Sequence, residues 1–328
     1  MFAFEPDSSD DQRTFPPLRD AMFLTGPTAS GKTRIGVELA RRLDAEILSL
    51  DSMALFQGMD IGTAKPSLAD RRKVRHHLFD VAEPADGYGL TLYQQQAKAA
   101  LESIWARNTF AWLVGGTGQY VWGLLEAWQA PDVAPDPALR AELEAVAAEH
   151  GHEALADRLA AVDPLSAARI DHRNVRRVIR AIEVYEKSGR TMSEWQSKGT
   201  PDFEFLLFGV DVPRDVLYPR VDRRVDAMFE AGLVAEVEGL LAAGVPADCP
   251  AMSSIGYGEC VRLLRGELSL AEAKERTKVA THRLIRSQDQ WFRRDDRRIT
   301  WVRDADDIDL QANIFTGACT NVIRGENR

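Results

Sequence analysis

Residues 21–33 read Ala21-Met22-Phe23-Leu24-Thr25-Gly26-Pro27-Thr28-Ala29-Ser30-Gly31-Lys32-Thr33, an apolar run followed by a glycine turn. The first five residues have the character of a buried parallel strand. The next eight fit G-x-x-x-x-G-K-[ST], and Ile35, Leu39 and Leu43 then fall on one helical stripe. Glycine at 26 and 31 lets the backbone curl so that successive N–H groups point inward, and a helix N-terminus adds positive potential. Lys32 supplies a point charge, and the Thr33 hydroxyl can ligate Mg²⁺. Gly26, Pro27, Thr28, Ala29, Ser30, Gly31, Lys32 and Thr33 are therefore expected to bind a phosphate or diphosphate. The motif leaves the phosphate compound and the bond that breaks undefined.

Working outward, Glu46–Leu50 is a second strand signal, Phe110–Val114 a third and Phe203–Val212 a fourth. Strands alternating with helices predict an α/β fold: a P-loop NTPase-like core with a mostly parallel sheet. Between Ala127 and Thr200 the strand signal stops, and a Pro/Asp-rich loop leads into Ala/Glu/Leu-rich segments. We read residues 127–202 as an all-helical insertion domain and residues 21–126 with 203–310 as the catalytic core. Residues 1–20, rich in Asp and Pro, read as a disordered tail, and residues 311–328 as a C-terminal extension.

The chain has 328 residues, 45% hydrophobic and 28% charged, enough to bury a full core without staples. Cys249, Cys260 and Cys319 show neither disulfide nor zinc-ligand spacing, which fits a reducing cytoplasm. No apolar run reaches the length of a membrane span, and no signal pattern opens the chain. Nothing in the sequence calls for assembly, so a monomer is expected. The formal net charge of −9 argues against a generally basic nucleic-acid binder. Two segments run the other way. Residues 171–190 carry six basic against three acidic residues, and residues 274–298 nine against four. Alone, such segments are more often solvated helix faces than binding surfaces.

Asp51 follows the second strand, in Leu48-Ser49-Leu50-Asp51-Ser52. A carboxylate at the carboxyl end of a parallel strand lies in the ligand crevice. It can hold Mg²⁺, accept a proton from a nucleophile, or simply cap a helix. Gly115-Gly116-Thr117-Gly118 ends the third strand and should reach the same crevice. Gly58-Met59-Asp60-Ile61-Gly62-Thr63-Ala64-Lys65-Pro66 reads either as a second anion-contacting loop or as an ordinary surface loop. His76 and His77 read as satisfied structural histidines.

These motifs, in order, resemble the tRNA dimethylallyltransferase (tRNA isopentenyltransferase) family. The resemblance runs through GPTASGKT, LDS, GMDIGTAKP, the paired histidines, LVGGTGQY, RAIEVYEKSGR, Leu217-Tyr218-Pro219-Arg220-Val221, Arg224, Ile255-Gly256-Tyr257 and Trp291-Phe292-Arg293. It implies transfer of a dimethylallyl group from dimethylallyl diphosphate, with Mg²⁺, to N6 of the adenosine 3′ of the anticodon in tRNA. It makes Asp51 the general base, with Lys32, Thr33 and Arg224 stabilising the departing diphosphate. It also implies tRNA contacts at Asp51, Ser52, Met53, Ala54, Thr117, Arg140, Arg176, Arg177, Arg180, Arg286 and Arg293. The chain departs from the usual family pattern at Phe56, Arg75, Gly258, Ser287 and Asp289. Transfer to a free adenine nucleotide and a small-molecule kinase or ATPase are the alternatives. The former would not need an insertion of this size.

Overall fold

The structure, a computed structural model, describes residues 19–303 and 308. Most of the expected tail and all of the expected C-terminal extension lie outside these residues. The core opens with β1 (Asp20–Thr25), α1 (Lys32–Arg42), β2 (Ala45–Ser49), α2 (Leu68–Arg71) and β3 (His76–His77). It continues with α3 (Leu90–Trp105), β4 (Phe110–Val114) and α4 (Gly118–Leu125). The helices α5 (Pro137–Val162), α6 (Pro164–Arg169), α7 (Val175–Ser188) and α8 (Met192–Trp195) follow. The chain then returns through β5 (Glu204–Val210), α9 (Arg214–Glu230), α10 (Leu233–Ala242), α11 (Tyr257–Leu264), α12 (Leu270–Trp291) and β6 (Ile299–Val302).

The six strands form one sheet in the order β3-β2-β4-β1-β5-β6, with every pairing parallel. Because β1 is central, every residue in it is buried. Its side chains alternate between two apolar layers: Ala21 and Phe23 pack toward α3, Met22 and Leu24 toward α1. The carboxyl ends of β1, β2 and β4 open on the same edge, which is where a ligand crevice forms in such sheets. A third apolar cluster, around Leu217, Val221, Tyr257 and Ile285, packs α9 to α12 over that edge.

The insertion is helical throughout and has its own core of Leu143, Leu155, Leu159, Val178, Ile179 and Ile182. Its two connections to the sheet run side by side, with Gln129 N–H donating to Ser197 O at 3.1 Å and Gly199 N–H to Glu126 O at 2.8 Å. Buried Glu183 ties α7 to the start of α5 through Arg140, the Asp136 amide and Arg180. Burial works against its charge, but these partners outweigh it and hold the carboxyl down to about 2.

Strand boundaries differ from those read in the sequence at β1, which starts one residue earlier, and at β2 and β5. β2 starts and ends one residue earlier, so Leu50 leaves the strand, although Leu50 N–H still donates to Val114 O at 2.9 Å. β5 is shorter at both ends than Phe203–Val212 and stops ahead of Pro213, which has no N–H to donate. β3 and β6 are edge strands of two and four residues, too short to show alternation.

Candidate active site

Two cavities meet at the carboxyl edge of the sheet. The smaller, about 80 Å³, is lined by Lys32, Thr33, Asp51 and Arg224 among others. The larger, about 490 Å³, opens between Asp51, Thr117, Arg177, Arg224 and the apolar side chains Val225 and Leu284. Thr28, Asp51, Thr63 and Arg224 line both. A ligand in the polar cavity and one in the larger cavity would therefore meet at Asp51 and Arg224.

The glycine turn forms as its sequence requires. Gly31, with φ of +90°, is the N-cap of α1, a conformation that strains any side chain. Lys32 bends back across the loop, and its Nζ donates to Pro27 O at 3.2 Å. Burial pushes the Lys32 ammonium down to about 8. The Asp51 carboxylate opposes that shift and the Arg224 charge adds to it. Arg224 makes no hydrogen bond or ion pair with any described residue, and burial lowers its pKa against the pull of Asp51. A cation kept without a partner beside a basic loop is suited to an anionic ligand.

Asp51 sits in a tight turn. Its Oδ1 accepts from Met53 N–H at 2.9 Å, and its own N–H donates to Ser49 Oγ at 3.2 Å. Thr117 fixes the next residue: Ser52 N–H donates to Thr117 Oγ1 at 3.0 Å, and Thr117 Oγ1 donates to Ser52 Oγ at 3.3 Å. Close approach makes this possible, since a Cβ on Gly115 would lie 2.4 Å from the Leu50 carbonyl carbon. One carboxylate oxygen of Asp51 orients the turn; the other makes no hydrogen bond with a described residue.

Two residues that sequence reasoning did not single out hold the site together. Gln288, buried on α12, accepts from Thr28 N–H at 2.9 Å and donates to Gly116 O at 3.1 Å. One side chain thus ties the phosphate loop to the loop after β4. Glu236 on α10 accepts from the N–H groups of Asp60 (3.0 Å), Ile61 (2.8 Å) and Gly62 (3.4 Å), and from Tyr257 Oη at 2.6 Å. Glu236→Ala strands these donors. It is expected to cost about 1–3 kcal/mol in urea unfolding and to speed amide exchange at residues 60–62. Unchanged exchange there would mean the loop is held by other contacts.

In the glycine-rich loop that includes Gly58 and Lys65, the lysine is already engaged, while Thr63 lines both cavities. The Lys65 side chain is 2% exposed, and its Nζ donates to Phe56 O (2.5 Å), Asp80 Oδ1 (2.6 Å) and Asp60 Oδ1 (2.8 Å). His77 is structural as expected, its Nε2 lying 2.6 Å from Glu46 Oε2. His76 is only half satisfied: its Nδ1 lies 2.7 Å from Val74 O, while its Nε2 is buried without a hydrogen-bond partner and the residue lines the smaller cavity.

A family model described as IPP transferase matches residues 54–295. The tRNA dimethylallyltransferase of Thermomicrobium roseum is 49% identical over 271 residues, covering 83% of this chain and 82% of that protein. That of Roseiflexus castenholzii is 48% identical over 285 residues, 87% and 93% of the two chains. This chain belongs to the IPP transferase family. Among solved structures, the tRNA isopentenylpyrophosphate transferase of Bacillus halodurans aligns with a TM-score of 0.66 and 36% identity, covering 92% of this chain and 96% of that one. A eukaryotic dimethylallyltransferase acting on tRNA shares the fold, with a TM-score of 0.74 at 22% identity. Membership makes the protein a prenyltransferase and favours that reading over a kinase or an ATPase.

Against the sites that IPP transferase resemblance implied, the structure brings Asp51, Ser52, Met53, Thr117 and Arg177 to the larger cavity. Ala54 is buried and lines the smaller one. Arg140 and Arg180 line neither and are both bound to Glu183. Arg293 makes a two-pronged pair with Asp295, and Arg286 donates to Tyr218 Oη at 3.3 Å. Arg176 is exposed, and neither its side chain nor that of Arg177 pairs with a described residue. Of the six basic residues in 171–190, these two remain the unengaged positive charges nearest the start of α7. No helix among the described residues is long and apolar enough to cross a membrane.

Proposed function

We propose that the protein transfers a dimethylallyl group from dimethylallyl diphosphate to N6 of the adenosine 3′ of the anticodon in tRNA. The observation that carries this reading is the sharing of Asp51 and Arg224 by a small polar cavity and a larger one. The diphosphate occupies the polar side, against Lys32 and the amides at the start of α1. The prenyl C1 points to the junction, and the adenine enters from the larger cavity. The N6 lone pair forms a bond to C1 as the C1–O bond breaks, and diphosphate leaves with that electron pair. N6 becomes acidic as its lone pair is used, and the free Asp51 carboxylate oxygen takes the proton. Lys32 and Arg224 meet the charge that builds on the leaving oxygen.

Mg²⁺ belongs to this proposal. Thr33 Oγ1 is a hard oxygen donor lining the small cavity, and it is not hydrogen-bonded to a described residue. Bound there, the ion would neutralise diphosphate charge. The adenine must leave its stack to reach Asp51, at a cost of a few kcal/mol. Arg176 and Arg177 on the insertion are suited to holding the phosphates of the surrounding stem-loop. We further infer a cytoplasmic monomer, in keeping with the cysteine pattern.

The test is transfer of label from dimethylallyl diphosphate, with Mg²⁺, into an unmodified tRNA or into AMP and ATP. Label in the tRNA, lost when the target adenosine is replaced, is expected. Label in the free nucleotides alone would overturn the choice of acceptor, and ATP consumption without label would overturn the reaction.

The lowered Lys32 pKa sets a pH limit on donor capture. The ammonium form binds diphosphate, and the free enzyme loses it as pH rises through about 8. kcat/KM for the donor is expected to fall above that pH by up to about tenfold per unit. kcat should stay flat over the same window, because bound diphosphate holds the proton on Lys32. In Lys32→Arg the limb should vanish, since guanidinium stays charged. A limb that persists in that variant would assign it to another group.

A further inference from the structure

We propose that His152, Glu153 and His172, on the insertion and outside the two cavities, form a binding site for a divalent transition-metal ion of the zinc class. Three of the chain's six histidines lie in this insertion. His152 and His172 are twenty positions apart in sequence, yet their rings stack with centroids 4.9 Å apart and an interplanar angle of 8°. His152 Nε2 lies 3.2 Å from Glu153 Oε1, and one donor atom from each of the three residues lies within 4.8 Å of the others. Among the described residues, neither imidazole has any other hydrogen-bond or ion-pair partner.

The backbone makes this cluster. Gly151, with φ of +82° and ψ of 167°, interrupts α5 and re-aims His152. A Cβ there would lie 2.8 Å from Glu153 Oε2, so the carboxylate folds back over the kink. His172 sits in the turn before α7, which is closed by Asn174 N–H donating to Asp171 O at 2.8 Å. The nearby Asp171 carboxylate is taken by the Arg173 guanidinium and does not compete. Two imidazoles and one carboxylate, with a fourth position left to water, are the donor set that Zn²⁺ accepts. Donors around a tetrahedral ion at 2.0–2.2 Å lie about 3.3–3.6 Å apart, so the imidazoles must turn out of their stack and draw together to close the set. An ion there would join the kink of α5 to the turn that precedes Arg176 and Arg177.

The test uses the full chain without a histidine tag. Co²⁺ serves as the absorbing probe, and Zn²⁺ is titrated against a chromogenic chelator. One equivalent of Zn²⁺ is expected to be taken from the chelator, and Co²⁺ to give visible bands of a four- or five-coordinate nitrogen–oxygen site. His152→Ala and His172→Ala should each weaken Zn²⁺ binding by more than about tenfold, and the double variant should abolish the cobalt bands. His150→Ala and Asp51→Asn should leave both readings unchanged. His150 and His172 are exposed and His152 is half-buried, and far-ultraviolet circular dichroism will verify that each variant is folded. Zn²⁺ uptake of equal stoichiometry and affinity in the double variant would overturn the proposal. So would no uptake by the parent chain, or loss of uptake in Asp51→Asn alone.

Discussion

Asp51→Asn is expected to lower kcat by about 10²–10⁴-fold while leaving the dissociation constant for tRNA within a few-fold of the parent. Asparagine keeps the carbonyl oxygen that Met53 N–H donates to, so the turn and its Thr117 tie should persist. What it removes is the second oxygen, the one free to take a proton. The substitution has a side effect of known sign. The Asp51 carboxylate raises the pKa of Lys32, so its loss lowers the ammonium further below about 8. Rates should therefore be compared at pH 6.5, where Lys32 is charged in both proteins. Single-turnover rates with saturating donor, alongside tRNA binding by filter retention, make the comparison. If binding falls in step with rate, Asp51 acts by holding tRNA rather than by moving a proton.

Arg224→Gln is expected to push stability and catalysis in opposite directions. In the free protein Arg224 is a half-buried cation without an ion-pair partner, and its lowered pKa reflects that cost. Replacing it with a neutral side chain of similar length should raise the melting temperature. The same change removes charge from the junction of the two cavities, where the leaving oxygen becomes anionic, and should lower kcat/KM by about 10²–10³-fold. Arg224 also depresses Lys32, so the alkaline limb should move to higher pH in this variant. A protein that is both less stable and less active would make Arg224 a packing residue.

Some of this site can be read along the chain because its parts are local. Gly26 to Thr33 announce their turn by spacing, and Asp51 follows an apolar run that ends where a strand must end. The side chains that fasten these parts together are far apart in sequence. Gln288 is 260 positions from Thr28, and Glu236 is 174 positions from Gly62. A lone glutamine or glutamate on an amphipathic helix carries no mark of a partner at that distance. Lys65 shows the converse: a lysine in a glycine-rich loop has the type of a phosphate ligand, and only the fold shows three oxygens already around it. Arg140 and Arg180 were matched to tRNA contacts by resemblance, and buried Glu183 now accounts for where both guanidinium groups point. β3 and β6 escaped notice because sheet edges tolerate segments too short to show a period.

The Gln288 link also bears on how the molecule is made. A ribosome releases the glycine turn well before α12. Until residue 288 has left the exit tunnel, Thr28 N–H and Gly116 O lack their partner, and the larger cavity lacks the wall that Thr281, Leu284 and Trp291 supply. A nascent chain can lay down β1, β2 and β4 side by side and still have no completed crevice. Competence to bind both ligands at once therefore waits for α12, and a message truncated before it yields β1 to β5 without the completed site.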